Sequence, residues 1–219
     1  MNAAATDLDV GDHKPRAARL TTILLVARMS IGQRDDLCRV RNISVGGMRI
    51  ETLASVEVGQ AIDVELKNGV SVRAEVMWVR DAAAGVRFEA PVDIAEVLAP
   101  AGKTRAAAGE RTMRSPRLSA QCPVELRQNG RALPADLINI SQGGAQVRAA
   151  ERLRLDDDVV VAIPGLDVRM AVVRWAKDNV IGLGFIEKLR FKELAEWLAG
   201  PDRFGPATQS SVSQAPQSS

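Results

Sequence analysis

Apolar and polar residues alternate with a period of two over most of this chain, in short runs separated by Gly, Asn and Asp. Ile62, Val64 and Leu66 fall on one side of one run. Val72, Ala74, Val76 and Trp78 fall on one side of the next. Such alternation predicts half-buried strands rather than helices. Further strands are predicted over Leu20–Met29, Leu37–Arg41, Met48–Thr52 and Gly85–Phe88. The order then repeats: Leu118–Leu126, Ala135–Ile138, Ala145–Arg148, Val159–Ile163, Val168–Trp175 and Val180–Ile186. Lys67-Asn68-Gly69 and Asn129-Gly130 supply turns. Each set ends in a helical pattern, short over Val92–Leu98 and longer over Glu187–Leu198, where Leu189, Leu194, Trp197 and Leu198 form an apolar stripe. Gly200-Pro201 stops the second helix. Six short strands per set predict a small antiparallel barrel, because closure removes exposed edges.

The repetition is visible in the residues themselves. Asn42-Ile43-Ser44-Val45-Gly46-Gly47 returns as Asn139-Ile140-Ser141-Gln142-Gly143-Gly144, 97 positions later. Trp78, Gly85 and Phe88 return as Trp175, Gly182 and Phe185 at the same offset, and Arg16 and Arg19 as Arg114 and Arg117 at 98. A repeat of this length is domain-sized, too long for a solenoid unit. Two homologous domains are therefore expected, at residues 13–99 and 111–199. The Pro-, Gly- and Ala-rich stretch 100–110 reads as a linker. The Ser-, Gln- and Pro-rich segment 200–219 reads as a disordered tail, with too little apolar area to offset its ordering entropy. One face differs between copies: Arg73, Glu75 and Met77 become Met170, Val172 and Arg174. Either a neighbouring domain or subunit covers that less charged face, or it carries isolated surface apolar residues.

Composition narrows the function classes. Of the 219 residues, 46% are hydrophobic and 26% charged, the balance of a globular protein. The net charge of +2 gives no global field toward DNA or an anionic membrane. Four Phe, three Trp and no Tyr leave few platforms for stacking single-stranded nucleic acid. One histidine (His13) and two cysteines (Cys38, Cys122) give little material for a zinc site or a nucleophile–histidine pair. The cysteines read as buried small hydrophobes in a reducing compartment. The N-terminal stretch has no apolar secretory core, and no run approaches a membrane span. A cytoplasmic, non-catalytic protein without cofactor, nucleic-acid partner or membrane insertion is expected.

Two elements carry chemistry. The first is the Asn-x-Ser-x-Gly-Gly corner, whose short polar side chains cap their own turn and whose glycines permit positive φ and close backbone approach. The second is a basic lead-in to each first strand, Lys14-Pro15-Arg16-Ala17-Ala18-Arg19 and Arg111-Thr112-Met113-Arg114-Ser115-Pro116-Arg117. It reads either as a solvated basic linker or as a clamp for an anion. Guanidinium forks bind phosphate bidentately and match the O6/N7 edge of guanine. Arm and corner together suit a guanine nucleotide with more than one phosphate, and they supply no general base or metal.

An arginine arm, then [Asp/Asn]-x-Ser-x-x-Gly, a Trp strand and Gly-x-x-Phe resembles the PilZ domain family. The resemblance covers about residues 13–99 and 111–199. It implies two six-stranded barrels in tandem that bind cyclic di-GMP, reorder the arm and signal to a protein partner. By the same resemblance, Arg16, Arg19, Arg114 and Arg117 contact phosphates and guanine edges. Asn42 and Asn139 hydrogen-bond a guanine, Ser44 and Ser141 assist by hydroxyl, and Gly47 and Gly144 let the backbone approach. The family's arm is Arg-x-x-x-Arg, whereas both copies here have Arg-x-x-Arg, with Pro15 and Met113 at the family's first position. A one-residue shift in an extended segment turns a side chain to the other side. The alternative implied is a degenerate interaction adaptor that does not bind the nucleotide.

Overall fold

The computed structural model describes residues 25–66, 69–98 and 115–204. They form a mainly β structure of two closed six-stranded antiparallel barrels in series. The first is built from β1 (Leu25–Ile31), β2 (Arg34–Ser44), β3 (Gly47–Thr52), β4 (Ala61–Glu65), β5 (Ser71–Arg80) and β6 (Ala83–Phe88). These pair in the order β1-β2-β3-β6-β5-β4, and β4 closes the ring on β1. The helix α1 (Ile94–Leu98) follows and packs Val97 into the barrel core. The second is built from β7 (Leu118–Ser119), β8 (Pro123–Gln128), β9 (Arg131–Ser141), β10 (Gly144–Ala149), β11 (Asp158–Ala162), β12 (Arg169–Lys177) and β13 (Val180–Phe185). Its ring runs β10-β13-β12-β11-β8-β9 and closes through β9 and β10, with β7 also paired to β9. The helix α2 (Phe191–Ala199) and a 3-10 turn (Pro201–Phe204) complete it.

The predicted alternation holds inside both rings. Met48 and Ile50, Ile62 and Val64, and Val72, Ala74 and Val76 all point into the first core. The turn geometry repeats as well. Positive φ occurs at Gly32 and Asn129, Gly59 and Asp156, and Asp81 and Asp178, each pair 97 apart. Both cysteines are buried and unpaired, and burial pushes their thiols up to about 12 (Cys38) and about 11 (Cys122).

Three predicted boundaries move, each for a local reason. The run Leu118–Leu126 splits into β7 and β8, because Pro123 has no N–H for the ladder. The second helix begins at Phe191 rather than Glu187. Leu189 N–H donates to the Gln142 carbonyl, and the Leu189 carbonyl accepts from Gln142 Nε2, so the lead-in is held extended. The stretch expected to be tail from residue 200 opens with the folded 3-10 turn, whose Arg203 is buried. The linker 100–110 and residues 205–219 lie outside the described residues, as do residues 20–24 of the first predicted strand and Lys67-Asn68.

The barrels meet along the outer face of β2. Leu37 points away from its own barrel and is buried in the core cluster of the second, with Val26 beside it. The Arg39 guanidinium sits 4.0 Å from the Phe191 ring centroid. At the strand's start, the buried Asp36 takes Arg34 Nε at 2.8 Å and has Arg203 Nη1 at 3.7 Å. Arg203 Nε donates to the Ser119 carbonyl at 2.9 Å, so one guanidinium joins the first barrel to β7 of the second. The charge-poor face on β12 stays open at Met170, which lies beside exposed Ile186, while Val172 is buried.

Desolvation dominates this ion pair: burial raises the Asp36 carboxyl above its usual range against the pull of Arg34 and Arg203, and burial lowers Arg203. Truncation by Arg203→Ala is expected to cost about 3–5 kcal/mol in urea unfolding, because Asp36 is left buried without that cation. The double change Asp36→Leu with Arg203→Met should recover most of the loss; failure to recover would argue against the ion pair as the cause. The folded carboxyl holds its proton to higher pH than the unfolded one. Its contribution is therefore fully present below the unfolded value and is lost as pH rises through the folded value. The stability of wild type relative to Asp36→Asn should accordingly fall as pH rises above about 4. A constant difference would contradict the raised carboxyl.

Candidate functional site

Two β-bulges in each barrel build the site. On β2, Val40 pairs with Ile50 but Asn42 pairs with Arg49, so Arg41 is the extra residue. On β9 the extra residue is Ile138, between Leu137 and Asn139. A strict period of two would turn Asn42 inward with Val40. The bulge turns it outward and restores Ile43 to the core. The same happens on β5 at Met77 and on β12 at Arg174. Trp78 therefore does not share the inner face of Val72, Ala74 and Val76, as the alternation predicts. It lies outside and is 43% exposed, and Trp175 is 37% exposed.

Strand pairing then lines these residues up on the outer wall. Asn42, Arg49, Gly85 and Trp78 follow one another across β2, β3, β6 and β5. Asn139, Gln146, Gly182 and Trp175 do so across β9, β10, β13 and β12. A Cβ on Gly85 would lie 2.0 Å from Trp78 Nε1, and one on Gly182 would lie 2.1 Å from Trp175 Nε1. Each glycine is thus the floor on which an indole rests.

The Asn-x-Ser-x-Gly-Gly corner holds the row in place. Ser44 Oγ donates to the Gly47 carbonyl at 3.0 Å, and Ser141 Oγ to the Gly144 carbonyl at 3.2 Å. The expected positive φ is absent from all four motif glycines. Close approach explains Gly47 and Gly144 instead: their Cβ atoms would fall 2.3 Å from the Val86 carbonyl oxygen and 2.1 Å from that of Leu183. The corner's carbonyls face two later segments. Gly46 O accepts from Phe88 N–H and Val45 O from Val92 N–H. Gly143 O and Gln142 O accept from Phe185 and Leu189 in the same way. Phe88 and Phe185 are thereby fixed as core residues.

Of the arm, Arg117 is described, while Arg16, Arg19 and Arg114 lie outside the described residues. Arg117 Nη1 donates to Asn139 Oδ1 at 3.2 Å, and Asn139 Nδ2 donates to Gln146 Oε1 at 2.6 Å. Arm and corner therefore meet in the second barrel. Sequence reasoning missed Arg49 and Gln146, which sit two positions after the corner's last glycine. It also missed Arg87, which pairs with Glu75 at 2.8 Å, and Arg174, whose side chain lies across Gly184. Their outward alternation from a fixed glycine was the available signal. The row offers amide donors and acceptors, guanidinium donors and a flat aromatic edge, the groups that grip a purine and a phosphate. Among the described residues no His, Cys, Asp and Glu cluster could hold a metal, and no helix is long and apolar enough to cross a membrane.

A family model described as PilZ domain matches residues 14–99 and 111–200. The chain belongs to the PilZ domain family. Both matched stretches contain one PilZ barrel, with its corner and its outward tryptophan. Among solved structures it is similar to the Borreliella burgdorferi PlzA protein in complex with c-di-GMP, at 10% identity over 84% of this chain and 94% of that one, TM-score 0.35. It is also similar to the Bacillus subtilis inhibitor of motility MotI/DgrA, at 15% identity over 80% and 93%, TM-score 0.33. The K. pneumonia MrkH-c-di-GMP complex matches at 15% identity over 80% and 85%, TM-score 0.32. No curated protein matches the chain.

The indole floor is directly testable in the PilZ barrels. A Gly182→Ala change should push Trp175 off the sheet, shift its fluorescence emission and cost about 1–3 kcal/mol of stability. An unchanged spectrum and melting curve would mean that the indole does not rest on this glycine.

Proposed function

We propose that the chain is a non-catalytic receptor for cyclic di-GMP that passes the level of this messenger to a protein partner. The observation carrying this reading is the contact of the arm with the corner in the second barrel, Arg117 on Asn139, within a PilZ domain. On this reading Arg16, Arg19, Arg114 and Arg117 bind phosphates and guanine edges. Asn42 and Asn139 pair with a guanine. Ser44 and Ser141 keep acceptor lone pairs beside the ligand while their protons staple the turn, and Gly47 and Gly144 leave the wall flat. The units are the domains 13–99 and 111–199, joined by the linker 100–110 and followed by a tail, in a protein of the cytoplasm.

The coupling route is short. Ser119 pairs with Asn139 through β7 and β9, and its carbonyl holds Arg203, which faces Asp36 of the first barrel. A lead-in drawn over a ligand pulls on β7, and β7 is tied to the interface. A partner then reads the altered relation of the barrels. The competing reading is an adaptor that ignores the nucleotide. It is favoured by the Arg-x-x-Arg spacing and by the exposed Val168, Met170 and Ile186 on the second barrel.

Calorimetric titration of cyclic di-GMP into wild type, Arg19→Ala and Arg117→Ala separates the two. The receptor reading expects binding that falls about tenfold or more with each loss of a charge-assisted contact. Small-angle scattering should change on saturation. Absence of heat at micromolar ligand, with partner capture surviving the arm substitutions, would establish the adaptor instead.

A further inference from the structure

The two copies differ at one position of an otherwise identical row, and that difference changes what surrounds the asparagine. In the second barrel, both ends of the Asn139 amide are engaged: the oxygen accepts from Arg117 and the nitrogen donates to Gln146. One lone pair and one amide hydrogen remain, so a guanine edge reaches Asn139 only alongside bonds already made, or in exchange for them. In the first barrel the position of Gln146 is Arg49. A guanidinium has no acceptor, so it cannot take a hydrogen bond from Asn42. Among the described residues no side-chain hydrogen bond or ion pair engages Asn42 or Arg49. The carboxylates nearest along the wall are already matched, Glu51 by Arg41 at 2.7 Å and Glu75 by Arg87 at 2.8 Å. Arg49 is exposed and stands between Asn42 and the Gly85–Trp78 floor. An uncompensated cation beside an open amide and a flat indole is complementary to a phosphodiester whose base lies along the row. Among the described residues the second barrel's wall cations without an ion pair lie off this row: Arg174 lies across Gly184, which pairs with Gly144 one step nearer the corner, and Arg148 lies one step beyond Gln146, in strand register with Asp136 and Val180.

We propose that the two barrels are unequal sites for the nucleotide, with Arg49 binding its phosphate and making the first barrel the tighter one. In the second barrel the Arg117–Asn139–Gln146 chain already engages the amide, so ligand competes with it and this site fills later. This inference rests on the receptor reading. It also answers the missing first arginine of the arm: in the first barrel the wall supplies a cation that the lead-in lacks.

The test is a calorimetric titration of the full chain with cyclic di-GMP, repeated with Asn42→Ala, Asn139→Ala, Arg49→Gln and Gln146→Arg. Two binding steps are expected, the tighter abolished by Asn42→Ala and the weaker by Asn139→Ala. Arg49→Gln should weaken the tighter step by about tenfold or more and leave the other in place. Gln146→Arg should strengthen the weaker step, since it removes the acceptor that holds Asn139. All four side chains lie on the outer wall, and matching melting curves separate a binding effect from misfolding. Binding that is unaffected by Arg49→Gln, or a tighter step that disappears with Asn139→Ala, overturns the inequality alone. No heat with any variant or wild type overturns the receptor reading and this inference together.

Discussion

The arrangement of the outer wall depends on one extra residue in each of two strands. A six-stranded barrel of this size must fill its interior with alternate side chains, so every strand commits half of its positions to the core. Asn and Trp cannot sit among Val40, Ile43, Val76 and Val86 without leaving polar atoms unsatisfied. The bulges at Arg41 and Met77 resolve the conflict by shifting the face once, mid-strand. The core pattern continues on both sides of each shift, and the polar residue and the indole emerge in the same cross-strand row. Glycine at the row's third place follows from that, because the indole occupies the volume of its Cβ.

The corner between β2 and β3 shows how one motif serves fold and site together. Its serine, glycines and carbonyls are committed inward: to its own turn, to the carbonyl of β6 or β13, and to the chain leading into the helix. Its asparagine alone faces the solvent-exposed row. A motif of this kind would recur in any barrel that needs the same corner, whether or not it binds a ligand. Recurrence of Ser and Gly therefore speaks for the fold, and it is Asn42 and Asn139, with the neighbours they meet, that speak for binding.

This division explains what was legible in the residues. Strand order, the two copies and the buried alternation follow from period-two patterning and the offset of 97, because core packing leaves a periodic trace. The outward place of Trp78 was not legible. A bulge breaks the period by one residue and leaves no compositional mark, since Met77 and Arg174 at the break share no chemistry. The start of α2 was missed for a different reason. Its lead-in is held by Gln142, distant in sequence, so no local propensity reports it. The meeting of Leu37 and Arg39 with the second barrel was likewise hidden, as both lie in a strand whose inward residues already account for its pattern.

The contact between barrels has the character of a joint rather than a welded core. Leu37 and Phe191 supply apolar burial, but the closing element is a buried ion pair whose members both lose hydration and stand 3.7 Å apart. Such a pair favours one geometry while adding little net stability, because desolvation offsets attraction. A small displacement of β7 would move Arg203 through its bond to Ser119, and the remaining Asp36 charge would then seek Arg34 or solvent. An interface built on packed aliphatic side chains alone would resist such a displacement gradually. One that includes a single shared guanidinium can give up that partner in one step, and this is the kind of joint that the proposed coupling from the Asn139 wall to the first barrel would use.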